Sequence, residues 1–165
     1  MIAVSNTTPL RYLIAIEQDH LLGQLFERVL VPPAVRAELT DARTPEKVRK
    51  RVLSLPEWFE LRAPQLTSSA PHLSSLHQGE REAILLAESL PAGILLMDEQ
   101  TGRAIALGRN LPLSGTLGVL ERADTLGLLN DFHLVLKQLR GSGFFIATSL
   151  EQQLLQRHRA RRAAK

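Results

Sequence analysis

Apolar positions along this chain follow two alternating rhythms. Ile2 to Val4, Val29 to Val31 and Ile94 to Met97 are short unbroken apolar runs, the mark of strands buried on both faces. The predicted strands span 2–5, 28–31 and 93–97, with a half-buried or edge strand at 58–61 and a short extended piece at 111–113. Between them the apolar residues recur at helical spacing. Leu10, Leu13, Ile14 and Ile16 predict a helix over 9–17, and Leu21 to Phe26 a second, shorter one. Val35 and Leu39 place one apolar face on a helix at 34–39. Further helices are predicted over 45–55, 80–90, 100–108, 115–126, 130–140 and 149–160.

Strands that alternate with helices imply a parallel sheet covered on both faces, joined by right-handed crossovers. The expected architecture is α/β: a compact three-layer, Rossmann-like domain with four or five strands. The polar stretch APQLTSSAPHLSSLHQ at 63–78 reads as a mobile connection, in which Leu73 and Leu76 can form a helical turn. No repeat is visible. Residues 1–150 are expected to form one domain, and 151–165 a C-terminal helix or basic tail.

Composition narrows the class. With 165 residues, 44% apolar and 22% charged, the chain has the make-up of a soluble globular domain, and with only 4% aromatics its core must rest on aliphatic side chains. Cysteine is absent, which excludes disulfides and thiolate metal sites and fits a cytoplasmic protein. No apolar run approaches the roughly 18–20 residues of a membrane span, and no signal peptide is expected. The net charge of +3 is modest, but it is concentrated in the runs EKVRKR at 46–51 and RHRARR at 157–162. Such runs serve as solvated helix faces, frayed tails or nucleic-acid contacts.

Candidate chemistry sits where the strands end. The cluster Ser5, Asn6, Thr7 and Thr8 interrupts the first apolar run just before Pro9, which suits a helix N-cap. Glu38 lies in the helix after the second strand, Glu80 and Glu82 open a later helix, and Asp98 follows the Ile94–Met97 run. In a doubly wound sheet these positions gather at one edge. Carboxylates collected there repel one another unless a cation intervenes, and Mg²⁺ or Mn²⁺ bound by oxygen ligands is the usual solution. Such an ion activates water and neutralises phosphate. Alternatively Glu38 is a surface residue, and Glu80 and Glu82 merely favour a helix N-terminus. Two residues apart on a helix, Glu80 and Glu82 point about 200° from each other. Glu82 is expected to face the site and Glu80 to be an outer ligand.

The segments VSNTTPL, VPPAVRAEL, GEREAILLA, ILLMDEQTGRAIA and SGTLGVL, in that order, resemble the PIN-domain superfamily, closest to a subfamily related to the VapC toxins. The resemblance covers most of residues 1–126. It implies a Mg²⁺- or Mn²⁺-dependent endoribonuclease, the toxin of a toxin–antitoxin pair, with RNA (tRNA among the possible targets) as substrate, an antitoxin protein as partner, and a homodimeric state. The family's catalytic and metal-binding acids fall on Asn6, Glu38, Glu82 and Asp98, and its supporting hydroxyls on Thr7, Thr8 and Thr116. Arg11, Arg36, Arg81 and Arg103, with Lys47 and Arg49 further off, are the candidates to offset phosphate charge.

One position departs from the family pattern. Asn6 stands where the family has Asp, whether naturally or as an introduced change. An amide can lend one oxygen to a metal but brings no charge and cannot act as a base. This form is therefore expected to be impaired. A competing reading is a non-catalytic module that binds RNA or an antitoxin. A dinucleotide binder is disfavoured because no G-x-G-x-x-G follows the first strand. A phosphoacceptor domain is disfavoured because that strand is followed by Asn6 instead of acids.

Overall fold

The computed structural model describes residues 1–65, 73–91 and 93–165. Five parallel strands form one sheet: β1 (Ile2–Ser5), β2 (Arg28–Val31), β3 (Phe59–Leu61), β4 (Ile94–Leu96) and β5 (Leu113–Ser114), in the order β3-β2-β1-β4-β5. The register sets Ala3 beside Val29 on one side and beside Ile94 on the other. The expected α/β class and parallel sheet are what the structure shows.

Helices cover both faces. They are α1 (Thr7–Ala15), α2 (His20–Leu25), α3 (Pro33–Thr40), α4 (Glu46–Leu53), α5 (Gln78–Glu88), α6 (Gln100–Gly108), α7 (Thr116–Thr125), α8 (Phe132–Gly141) and α9 (Thr148–Ala163). Pro33 starts α3 where a missing backbone N–H costs nothing. Because strand side chains alternate between faces, β1, β2 and β4 each feed two cores. Ala3, Val29, Val31 and Leu96 join the larger core, with Leu10, Leu13, Leu120 and Phe132. Val4, Leu30, Leu95 and Met97 join the smaller one, under Ile84, Leu86 and Ala106. Val35 and Leu39 are both fully buried, as their spacing requires.

Residues 66–72 of the expected mobile connection lie outside the described residues. Leu73 and Leu76 form the anticipated turn, with the Leu76 N–H donating to the Leu73 carbonyl, and both side chains are buried. The helix foreseen from residue 9 begins earlier, at Thr7. The C-terminal segment is a helix anchored to α7. Its Leu154 and His158 are buried, His158 Nδ1 lies 2.8 Å from Asp124 Oδ2, and Arg157 and Arg161 both bond Glu121. Among the described residues no helix is long and apolar enough to cross a membrane.

Candidate active site

The chain runs from β1 outward to β2 and β3, then returns to β4 and β5 on the other side. The connections leaving β1 and β4 therefore diverge, and a crevice opens at the carboxyl ends of those strands. A cleft of about 550 Å³ lies at this edge, lined by Asn6, Thr7, Thr8, Arg11, Tyr12, Glu38, His77, Glu80 and Glu99. The backbone N–H of Asn6 donates to the Leu96 carbonyl at 3.0 Å, which ties the two strand ends together.

Asn6 occupies the backbone N-cap position of α1, yet its side chain makes no capping bond. Its Nδ2 instead donates to Glu99 Oε2 at 2.8 Å. A carboxylate only accepts, so this bond turns the amide oxygen away from Glu99. That Oδ1 accepts no hydrogen bond from any described residue, although Asn6 is only 3% exposed. The Thr8 hydroxyl donates to the other oxygen of Glu99. The Thr7 hydroxyl donates to Glu38 Oε2 at 2.5 Å. Gly79 allows this crowding, since a Cβ there would stand 2.7 Å from Glu38 Oε1.

The orientation of the acid pair on α5 is the reverse of that expected. Glu80 lines the cleft and is buried, with Oε2 accepting from the His77 N–H at 3.1 Å and Oε1 bonded to no described residue. Glu82 turns aside: Oε2 accepts from the Ala34 N–H at the start of α3, at 3.0 Å, and Oε1 from Gln78 Nε2. The helix begins at Gln78, two residues earlier than predicted. It is wound so that position 80 faces the strand ends and position 82 faces the neighbouring helix.

Asp98 and Thr116 meet as a pair. The Thr116 N–H and hydroxyl donate to the two Asp98 oxygens at 2.9 and 2.6 Å. Burial raises the Asp98 carboxyl above its ordinary value, aided by the neighbouring Glu99 charge and opposed by the Thr116 bonds and Arg103. Asp98 is not among the residues lining the cleft. It joins the end of β4 to the start of α7, where a Cβ at Gly115 would overlap its Oδ1 at 2.5 Å.

The expected cations separate in the same way. Only Arg11 lines the cleft. Arg103 Nη1 donates to the carbonyls of Met97 and Ser114, bracing the strand ends. Lys47 reaches the Ala15 carbonyl and Glu17, and Arg49 donates to the Thr44 carbonyl, so both brace helices instead of facing the cleft. Arg36 and Arg81 are half-buried outside the cleft lining, and Arg36 Nε is buried without a partner among the described residues. Glu99 is the cleft residue that the sequence reading missed. It directly follows Asp98, and its acidity at a strand end was the available signal.

A larger hollow of about 700 Å³ at the opposite edge of the sheet includes His20, Glu27, Arg51 and Trp58. Its Arg51 is paired with Asp19 and its Glu27 with the N-terminal amine. The open oxygens on buried residues, Asn6 Oδ1 and Glu80 Oε1, belong to the other cleft, which is therefore the better site.

Among the described residues no three His, Cys, Asp or Glu side chains form a group able to hold a metal by themselves. Mg²⁺ does not require one, since it keeps several waters and takes only one or two carboxylates. The open oxygens of Asn6 and Glu80, both on nearly buried residues, are hard donors of the type such an ion uses. The residues present fit a hydrated divalent cation, not a closed protein cage.

Fold and cleft together define a doubly wound α/β domain with a carboxylate-lined crevice at its topological switch point. A family model described as PIN domain matches residues 2–160, and the chain belongs to the PIN-domain family. PIN domains are generally nucleases and typically use divalent metals. No curated protein matches the chain.

Proposed function

We propose that this chain is a metal-dependent endoribonuclease of the PIN type. The observation that carries the proposal is the convergence of Asn6, Glu38 and Glu80 on one cleft at the sheet's switch point, each with one side-chain oxygen bonded to no described residue. Mg²⁺ or Mn²⁺ bound there would supply a water activated for attack and positive charge against the phosphate. Glu80 and the Asn6 amide oxygen are the residues placed to hold it, with Glu38 at the rim. Thr7 orients Glu38 through its hydroxyl, and Arg11 offers positive charge to the RNA backbone. Asp98 and Thr116 join the end of β4 to the start of α7 outside the cleft lining.

Within this proposal the chain acts as the toxin of a toxin–antitoxin pair. The VapC-like motifs support that role, and growth arrest on induction, relieved by a co-expressed antitoxin, tests it. The amide at position 6 supports a second reading, a PIN module that binds RNA or a partner without cutting.

Cleavage of total RNA and of tRNA with Mg²⁺ or Mn²⁺ separates the two. The nuclease proposal expects cutting by the wild type, or by the Asn6→Asp variant if the amide silences the site. It also expects Glu80→Gln to lower cleavage by roughly 10²-fold or more, the scale of a lost catalytic group. Binding of RNA with no cleavage by either form would favour the second reading.

A further inference from the structure

The sequence alone marks Asn6 as a lost charge. In the folded chain that charge stands beside it. Glu99 comes from β4's exit, 93 residues along the chain, and its Oε2 accepts from Asn6 Nδ2 at 2.8 Å. Its second oxygen accepts from the Thr8 hydroxyl, so its carboxylate is fixed by two donors that belong to the β1 exit. The amide oxygen of Asn6, unpartnered on a residue 3% exposed, faces the other way.

We infer that Asn6 and Glu99 work as one ligand unit for a divalent cation, with Asn6 presenting the oxygen and Glu99 supplying the negative charge that a carboxylate at position 6 would bring. The inference rests on the nuclease proposal for its site but assigns a residue that proposal does not use. Three features carry it. The donor and acceptor are in direct contact, so the charge of Glu99 polarises the amide and makes its oxygen a better ligand. Thr8 holds Glu99 in place. Finally, an aspartate at position 6 with Glu99 unchanged would put two carboxylates in contact, which is unfavourable without a cation. Amide at one position and acid at the other is the neutral-donor arrangement that avoids this conflict.

The pair is chemically exchangeable, and the test follows from that. Mn²⁺ binding to the full chain is measured by isothermal titration calorimetry for wild type, Asn6→Asp, Glu99→Gln and the Asn6→Asp/Glu99→Gln double variant. Circular dichroism confirms that each is folded. Glu99→Gln should weaken Mn²⁺ binding roughly 10-fold or more, the scale seen when a supporting acid is removed. The double variant should recover most of the loss, because it returns one acid and one amide to the same contact. A role for Glu99 in merely holding Asn6 and Thr8 would alter stability but not give this rescue.

Wild-type binding that is unchanged by Glu99→Gln would overturn the inference and leave the nuclease proposal standing. Binding by Asn6→Asp but not by wild type would also overturn it, showing that the amide silences a real metal site. Absence of Mn²⁺ binding by all four chains would overturn both the inference and the proposal beneath it.

Discussion

Glu80 and Glu82 are chemically the same and two positions apart, yet their surroundings give them different work. Glu82 accepts the Ala34 N–H, one of the orphan donors that every helix N-terminus carries, and so caps α3 from α5. Its replacement by Ala should cost about 1 kcal/mol, the usual worth of a cap, as read by urea denaturation. RNA cleavage should survive that change, in contrast to the loss expected for Glu80→Gln. The difference between the two positions separates a carboxylate that caps a neighbouring helix from one that lines the cleft. Spacing along a helix shows that both cannot face one cleft, but it does not say which one does.

At the scale of elements, α6 shows how close packing limits the sequence. Gly102 lies where a Cβ would meet the Met97 sulfur at 2.4 Å, and Met97 is fully buried. Gly108, the last residue of the same helix, has nothing within 4 Å of its would-be Cβ. Gly102→Ala should therefore destabilise by roughly 1–3 kcal/mol through overpacking. Gly108→Ala should stabilise by roughly 0.5–1 kcal/mol, through the lower entropy of the unfolded chain. Thermal or urea unfolding of the two single variants checks both signs. Met97 immediately precedes Asp98, so the first substitution should also loosen the β4 exit that carries Asp98 and Glu99. Most element positions were legible from apolar periodicity, because strand and helix each impose a period on buried residues. Their ends were less so: α1 starts at Thr7, where the Thr7 and Thr8 hydroxyls bond Glu38 and Glu99 and do not cap the helix.

For the molecule as a whole, α9 closes the structure by packing on α7. Asp124 is held by His158 Nδ1 at 2.8 Å and by Arg161 Nη2 at 2.6 Å. Burial pushes the Asp124 carboxyl up, but the bonds from Arg161 and His158 outweigh it and hold the group below its ordinary value. A carboxyl lowered on folding contributes stability above its unfolded value, and loses that contribution as the pH falls through the folded one. Arg161→Met should destabilise at neutral pH by roughly 1–3 kcal/mol, the range for a charged hydrogen bond. The gap from wild type should narrow as the pH falls below the ordinary carboxyl value of 3.8. Urea midpoints for both proteins across that range measure it. The run RHRARR reads as a basic tail in sequence. Two of its arginines are instead spent on Glu121, which lies 36 to 40 positions earlier in the chain.

What the sequence by itself determined is the class of the domain and most of the stretches that line its cleft. Unbroken apolar runs between helical patterns require a parallel sheet covered on both faces, and the polar and acidic residues at the run ends mark the edge where chemistry can gather. The ordered motifs led to the PIN-domain family. Only the tertiary structure decided which of those residues meet. The winding of α5 turned Glu80 inward and Glu82 toward α3, Thr116 engaged Asp98, and backbone carbonyls engaged Arg103. Strand pairing brought Glu99 onto Asn6 across 93 positions. Local spacing carries the direction of a residue within its own element. Contact between side chains on different elements depends on how those elements dock, and that information exists only once the sheet is assembled.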